Sequence, residues 1–300
     1  MSHLTGLSAF PITPADRDGV VDQAALRGIV ARLVAAGVDS IGLLGSTGTY
    51  AYLTREQRQI AVETALAEAG DAVPVVVGIG ALRTDEAVRL AQDAKGAGAA
   101  AGLLAPVSYT PLTNDEVYEH FVTVERESGL PLCIYDNPAT THFTFTPGLI
   151  GRLSRLEGVV AVKTGARPKE EVGEQLKLLK ADVRHGFPIG CSVDIHAPEA
   201  LLAGAVAWYS VIGGTLPKAS LAITRAAQAG DAAETRRLHA ALEPIWECFR
   251  KHTSLRVVYA MADLLGLCRV EPPRPILPLG DWARADVAAA LKRLPAEMAE

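Results

Sequence analysis

The sequence predicts a (β/α)8 barrel followed by a C-terminal helical extension, and three observations carry that expectation. Eight short Val/Ile/Leu/Ala runs recur within about the first 215 residues, each followed by a Gly- or Pro-bearing turn and a stretch of helical period. Eight such strands alternating with helices are the count and size of a closed parallel barrel. Hydrophobic residues make up 49% of the chain but aromatics only 5%, the aliphatic balance of a helix-covered parallel sheet. The first strand-to-helix turn, AFPITPADRDG, holds no GxGxxG, which an open dinucleotide-binding sheet would be expected to show.

In chain order the runs are LTGLSAFPIT (4–13), VDSIGLLG (38–45), VPVVVGIG (73–80), AAAGLLAP (99–106), LPLCIYD (130–136), GVVAVK (158–163), ADVRHGF (181–187) and AVAWYSVIG (205–213). Helix starts are legible between them. Asp22 precedes the stripe Leu26, Ile29, Val30 and Leu33; Thr54 is followed by Gln57, Thr113 by Glu116, and Thr146 by Pro147. Each is a side-chain oxygen placed to accept an unpaired N–H of a first helical turn. Gly37, Gly70 and Gly129 stand where helices are expected to stop. Beyond residue 215 only helical stripes remain, at 218–229, 232–250, 254–266 and 282–295. The expected organisation is therefore a barrel over 1–215 and an extension over 216–300 that packs on it, since no flexible linker intervenes.

Composition excludes several classes of function. A net charge of -5 with no long basic run argues against nucleic acid as a partner. No apolar stretch reaches the roughly 20 residues needed to cross a bilayer, and MSHLTGLSAF lacks a signal-peptide layout, so a cytoplasmic protein without membrane contact is expected. Cys133, Cys191, Cys248 and Cys268 form no CxxC pair, and the seven histidines show neither HxxxH nor HExxH. Reduced thiols and no metal centre are expected.

The sixth run ends on Lys163, and in a barrel the C-terminal strand ends face the active-site mouth. The second run ends in GSTGTY (45–50), where the Ser46 and Thr47 hydroxyls and neighbouring N–H groups form a cradle for a small carboxylate. The fifth ends in IYDNP (134–138), with the Tyr135 hydroxyl at the same end. Each feature alone also fits an ordinary surface lysine, a tight turn or a core tyrosine.

Together these residues resemble the dihydrodipicolinate synthase / N-acetylneuraminate lyase family of lysine-dependent class I aldolases. The likeness runs from AFPITP through GSTG, VPVVVGIG, YDNP and VAVKTG to LAGAVAWYS. It implies that Lys163 forms a Schiff base with a 2-oxo acid such as pyruvate, that Tyr135 relays protons, and that Ser46 with Thr47 hold the carboxylate, Thr47 being also a catalytic candidate and Gly48 a substrate-binding one. Thr140 and Tyr209 are further substrate-binding candidates. No cofactor beyond the covalent lysine imine is implied, the partners are a 2-oxo acid and an aldehyde, and a homo-oligomer, dimer or tetramer, is expected.

The departures from the family pattern are local. Thr49 stands where most members have glutamate, Val107 and Ser108 where the synthases have paired tyrosines with Tyr109 displaced by one, and Thr140 where YNxP.R places an arginine. The residues thus point to a pyruvate-type class I aldolase or lyase with a rebuilt acceptor half. The alternatives are dihydrodipicolinate synthase proper, a 2-oxo-3-deoxy sugar acid dehydratase, and a non-catalytic 2-oxo acid binding protein.

Overall fold

The computed structural model describes residues 4–298. Eight parallel strands close into a barrel in sequence order: β1 (Gly6–Ala9), β2 (Ser40–Leu43), β3 (Val75–Gly78), β4 (Ala101–Leu104), β5 (Leu132–Asp136), β6 (Val159–Gly165), β7 (Ile189–Ser192) and β8 (Ala207–Ser210). Closure is made where Gly6 to Ala9 of β1 pair with Ala207 to Ser210 of β8. The fold is a (β/α)8 TIM barrel, as the alternating runs predicted.

The ring of helices begins with α1 (Gln23–Ala36), α2 (Arg55–Ala69), α3 (Thr84–Ala97) and α4 (Asn114–Ser128). It continues through the short α5 (Pro138–Thr141) and α6 (Pro147–Leu153), then α7 (Lys169–Asp182), α8 (Ala197–Leu202) and α9 (Pro217–Gln228). The starts read from the sequence are real caps: Asp22 accepts from the N–H of Ala25, Thr54 from Gln57 and Thr146 from Leu149. Thr113 and Glu116 form a reciprocal capping box. Gly37, Gly70 and Gly129 all end helices with positive φ.

Strand alternation divides the core in two. Leu26, Ile41, Val75, Phe121 and Trp208 fill the layer between strands and helices. Phe10, Val76, Leu103, Cys133, Ala161 and Tyr209 fill the barrel interior. The interior is therefore solid below its mouth, as packed barrels are.

Three boundaries differ from expectation. The seventh run, 181–187, is not a strand: it is the end of α7 and a loop that turns at Gly186 with φ 74°, and β7 lies at Ile189–Ser192. A Cβ on Gly190 would meet the Tyr209 ring at 2.3 Å, so this strand gives up a branched side chain to make room. That glycine, with its small neighbours, hides the strand from an apolar pattern. The sixth strand does not stop at Lys163 either, because Thr164 pairs with Asp136 and Gly165 with Ser192. Finally, α9 packs on β1 and α1, so the helix ring runs past residue 215 and the extension proper begins after it.

That extension comprises α10 (Ala232–Ala241), α11 (Glu243–His252), α12 (Ser254–Leu264) and α13 (Asp281–Lys292). The expected single helix over 232–250 is broken at Leu242, with Pro244 in the first turn of α11, where it has no N–H to leave unpaired. Trp246, fully buried, stacks on His239 at 5.2 Å and donates its Nε1–H to that residue's carbonyl. Arg236 grips Glu199 of α8 through two bonds of 2.6 and 2.9 Å, and Tyr259 of α12 reaches Thr49 Oγ1 at 3.5 Å. Among the described residues, no helix is long and apolar enough to cross a membrane.

Candidate active site

Side chains from β5, β6, β7 and the turn after β2 meet at the C-terminal end of the barrel, in a cavity of about 660 Å3. Lys163 is 4% exposed and stands at its floor. Its register partners are Tyr135 on β5 and Gly190 on β7. The Nζ lies 3.9 Å from the Phe10 ring centroid, 4.8 Å from that of Tyr135 and 5.9 Å from that of Tyr209. Glycines make this aromatic box possible: a Cβ on Gly42 or Gly45 would strike the Phe10 ring at 2.2 or 2.7 Å.

Burial lowers the Lys163 pKa from its ordinary value, while Tyr135, Cys133 and Asp194 pull in the opposite direction without restoring it. The lysine is thus held closer to its neutral, nucleophilic form than a solvated one, of which only about 1 in 2,500 molecules is neutral at pH 7. For Tyr135 burial raises the pKa, but the positive charge of Lys163 and hydrogen bonds with Ser46, Thr140 and Asn137 outweigh it, and the net shift is downward.

The Tyr135 hydroxyl is the hub of a short network. It donates to Ser46 Oγ at 3.1 Å, accepts from Asn137 Nδ2 at 3.0 Å, and lies 3.4 Å from Thr140 Oγ1. Ser46 follows β2, so the network joins the expected carboxylate cradle to the tyrosine beside the lysine. A hydroxyl that both donates and accepts can pass a proton along this line.

The residues expected in the site divide into two groups. Lys163, Tyr135, Ser46, Thr47 and Thr140 all line the cavity. Gly48 is not among the described lining residues, and a Cβ there would meet Leu44 Cα and Thr13 Oγ1, each at 2.9 Å, so the turn leaves room only for glycine. Tyr209 is 1% exposed and lies below the lysine, its hydroxyl 3.7 Å from Cys133 Sγ, so it supports the floor instead of facing a ligand. Thr49, at φ 53°, is held by Tyr259, which anchors the turn where a glutamate was missing from the pattern.

Several site residues escaped the sequence reading. Phe10 and Asn137 lie inside quoted motifs, AFPITP and YDNP, without being singled out. Asp194 is buried after β7, where its carboxylate accepts from Trp208 Nε1 at 2.8 Å, Val211 N at 3.3 Å and Ile212 N at 2.8 Å. Burial raises its pKa and these N–H donors lower it, the net being upward. Phe249, Thr253, Ser254, Leu255 and Ile276 arrive from the extension and carry no motif. Among the described residues, no group of three or more His, Cys, Asp or Glu is arranged to hold a metal ion.

The sequence matches the Dihydrodipicolinate synthetase family over residues 3–294. The chain belongs to that family. Its relatives named 4-hydroxy-tetrahydrodipicolinate synthase include those of Pelobacter propionicus, 30% identical over 94% of this chain and 95% of the relative, and Neisseria meningitidis serogroup C, 31% identical over 96% and 98%. A crystal structure described as dihydrodipicolinate synthase from Agrobacterium tumefaciens strain C58 superposes with a TM-score of 0.95 at 50% identity, covering 98% of this chain and 99% of that one. The corresponding enzyme of Aquifex aeolicus gives 0.89 at 27% identity, covering 96% and 97%. As a member of the dihydrodipicolinate synthetase family, the chain is a carbon–carbon lyase.

Proposed function

We propose that the chain makes or breaks a carbon–carbon bond between pyruvate, or a related 2-oxo acid, and an aldehyde through an imine on Lys163. The observation that carries this reading is the buried Lys163 at the cavity floor, in register with Tyr135, whose hydroxyl is tied to Ser46. Neutral Nζ attacks C2 of the 2-oxo acid, and the resulting carbinolamine loses its oxygen as water to leave an iminium. The iminium draws electrons from C3, so a C3 proton departs and an enamine forms. Its C3 then bonds to the aldehyde carbon, whose oxygen takes up a proton, and water releases the product and regenerates the lysine. Every step is reversible.

In this scheme Tyr135 carries protons to and from the carbinolamine oxygen and C3, and the Ser46–Thr47 turn receives the carboxylate. Thr47 is buried in the cavity wall, but among the described residues no side-chain hydrogen bond joins it to Tyr135. Its share in proton transfer is therefore proposed to be smaller than that of Ser46, and its share in binding larger.

Intact-mass spectrometry after borohydride reduction tests the reading. A pyruvate-dependent mass gain in wild type, absent in Lys163→Ala, is the expected result. No adduct with pyruvate or with longer 2-oxo acids would overturn it and leave a binding protein.

A further inference from the structure

Building on the imine reading, we infer that the acceptor half of the cavity takes an uncharged aldehyde with an apolar body and rejects aldehydes bearing a carboxylate. Two features of the wall carry the inference. At about 660 Å3 the cavity is far larger than a three-carbon acid requires and falls in the roughly 300–1,000 Å3 range of sites for larger ligands. The lining includes the apolar side chains Val107, Val193, Ile195, Phe249, Leu255 and Ile276, alongside the neutral hydroxyls of Ser192, Thr253 and Ser254.

The charges on the wall decide against a second carboxylate. Among the described lining residues only Lys163 and Asp194 are ionisable as cation or carboxylate. The first is consumed by the imine. The second already accepts three N–H groups and has the same sign as an incoming carboxylate. Thr140, on α5, offers one hydroxyl and uses it toward Tyr135 and the Asn137 carbonyl. Arg256 donates to Thr253 Oγ1 at 3.2 Å but lines a separate cleft with Asp263 and Arg284. A carboxylate brought into this roof would lose water and meet no cation, whereas an alkyl or aryl group would lose only unfavourable hydration.

Half of these apolar residues, Phe249, Leu255 and Ile276, come from the extension; Val107, Val193 and Ile195 come from barrel loops. Thr253, between α11 and α12, has φ 66° and ψ 142°. That break turns Phe249 at the end of one helix and Leu255 at the start of the next toward the same space, and Ile276 closes it from the segment before α13.

The test uses the full chain with pyruvate and four aldehydes: pentanal, benzaldehyde, glyceraldehyde and succinic semialdehyde. Borohydride trapping is run on the same preparation. The expected result is an imine and a kcat/KM at least about tenfold higher for pentanal or benzaldehyde than for the other two. Leu255→Arg, which supplies the missing cation, is expected to raise the succinic semialdehyde to pentanal ratio at least about tenfold, with trapping intact, while Leu255→Met leaves it unchanged. If Leu255→Arg does not fold, the wild-type panel decides alone. An imine with glyceraldehyde or succinic semialdehyde preferred, or with no aldehyde turned over, overturns the inference by itself. Absence of the imine overturns the imine reading and the inference with it.

Discussion

Burial of Lys163 costs the fold stability, and that cost depends on pH. Burial holds its folded-state pKa below the ordinary 10.5, so between those values the folded chain carries fewer protons here than the unfolded one. The linked contribution to stability is complete above 10.5 and is lost as pH falls through the folded value. Lys163→Met, which has no such titration, is expected to be more stable than wild type at pH 7 by about 1–2 kcal/mol. The gap should narrow as pH rises toward 10, and melting temperatures at both pH values would show it. A constant or inverted gap would mean the ammonium is well paired in its aromatic box. Tyr135→Phe keeps the ring 4.8 Å from Nζ but removes the hub hydroxyl. Turnover is expected to fall by about 10²–10⁴-fold while borohydride trapping survives, at a slower rate. The places of Lys163, Tyr135 and Ser46 at the cavity were legible because each stands at or beside the end of an apolar run. Phe10 was not, since one aromatic in a strand reads as ordinary core, and its place 3.9 Å from Nζ depends on Gly42 and Gly45, two elements away.

Glycine shows how far an element's meaning depends on what faces it. Gly42, in β2, leaves space for the Phe10 ring, which a Cβ would strike at 2.2 Å. Gly28, on the exposed face of α1, has no heavy atom within 4 Å of such a Cβ. The same substitution should therefore act with opposite sign: Gly42→Ala is expected to destabilise by about 1–3 kcal/mol through overpacking, and Gly28→Ala to stabilise by about 0.5–1 kcal/mol through helix propensity. Urea denaturation of both variants checks this, and equal effects would contradict it. Helix caps were readable because Asp22, Thr54, Thr113 and Thr146 act over three residues of sequence. Strand β7 was not, because Gly190 answers to Tyr209 of the next strand. Thr49, Val193 and Thr253 are cavity-lining, non-glycine residues with positive φ, and backbone strain of about 1–3 kcal/mol each is sustained where the site is built. Such positions carry no signature in a single sequence.

Tyr109 is 97% exposed, and Leu82, 66% exposed, shares a surface cleft with Val107, which also lines the cavity. Large apolar side chains gathered at the barrel mouth fit burial against another copy. A homo-oligomer is expected, with Tyr109→Ser lowering its association; sedimentation at several concentrations would show a concentration-independent monomer if this is wrong. The alternating plan of a closed barrel was legible from periodicity, with seven of the eight strands beginning in the expected runs and β7 outside its run. The roof of the cavity was not, because contact between Thr49 and Tyr259, 210 positions apart, leaves no local trace.

The division of the cavity between strand ends and extension has a consequence for descent. Lys163 and Tyr135 sit on the closed sheet, buried and in register with each other, where a change of size disturbs their neighbours. Phe249 and Leu255 sit on α11 and α12 and Ile276 on the segment before α13, all outside that sheet, where changes of size and charge leave the barrel's pairing intact. A lineage can therefore exchange one aldehyde for another by drift in a segment of some thirty residues, inheriting its chemistry unchanged.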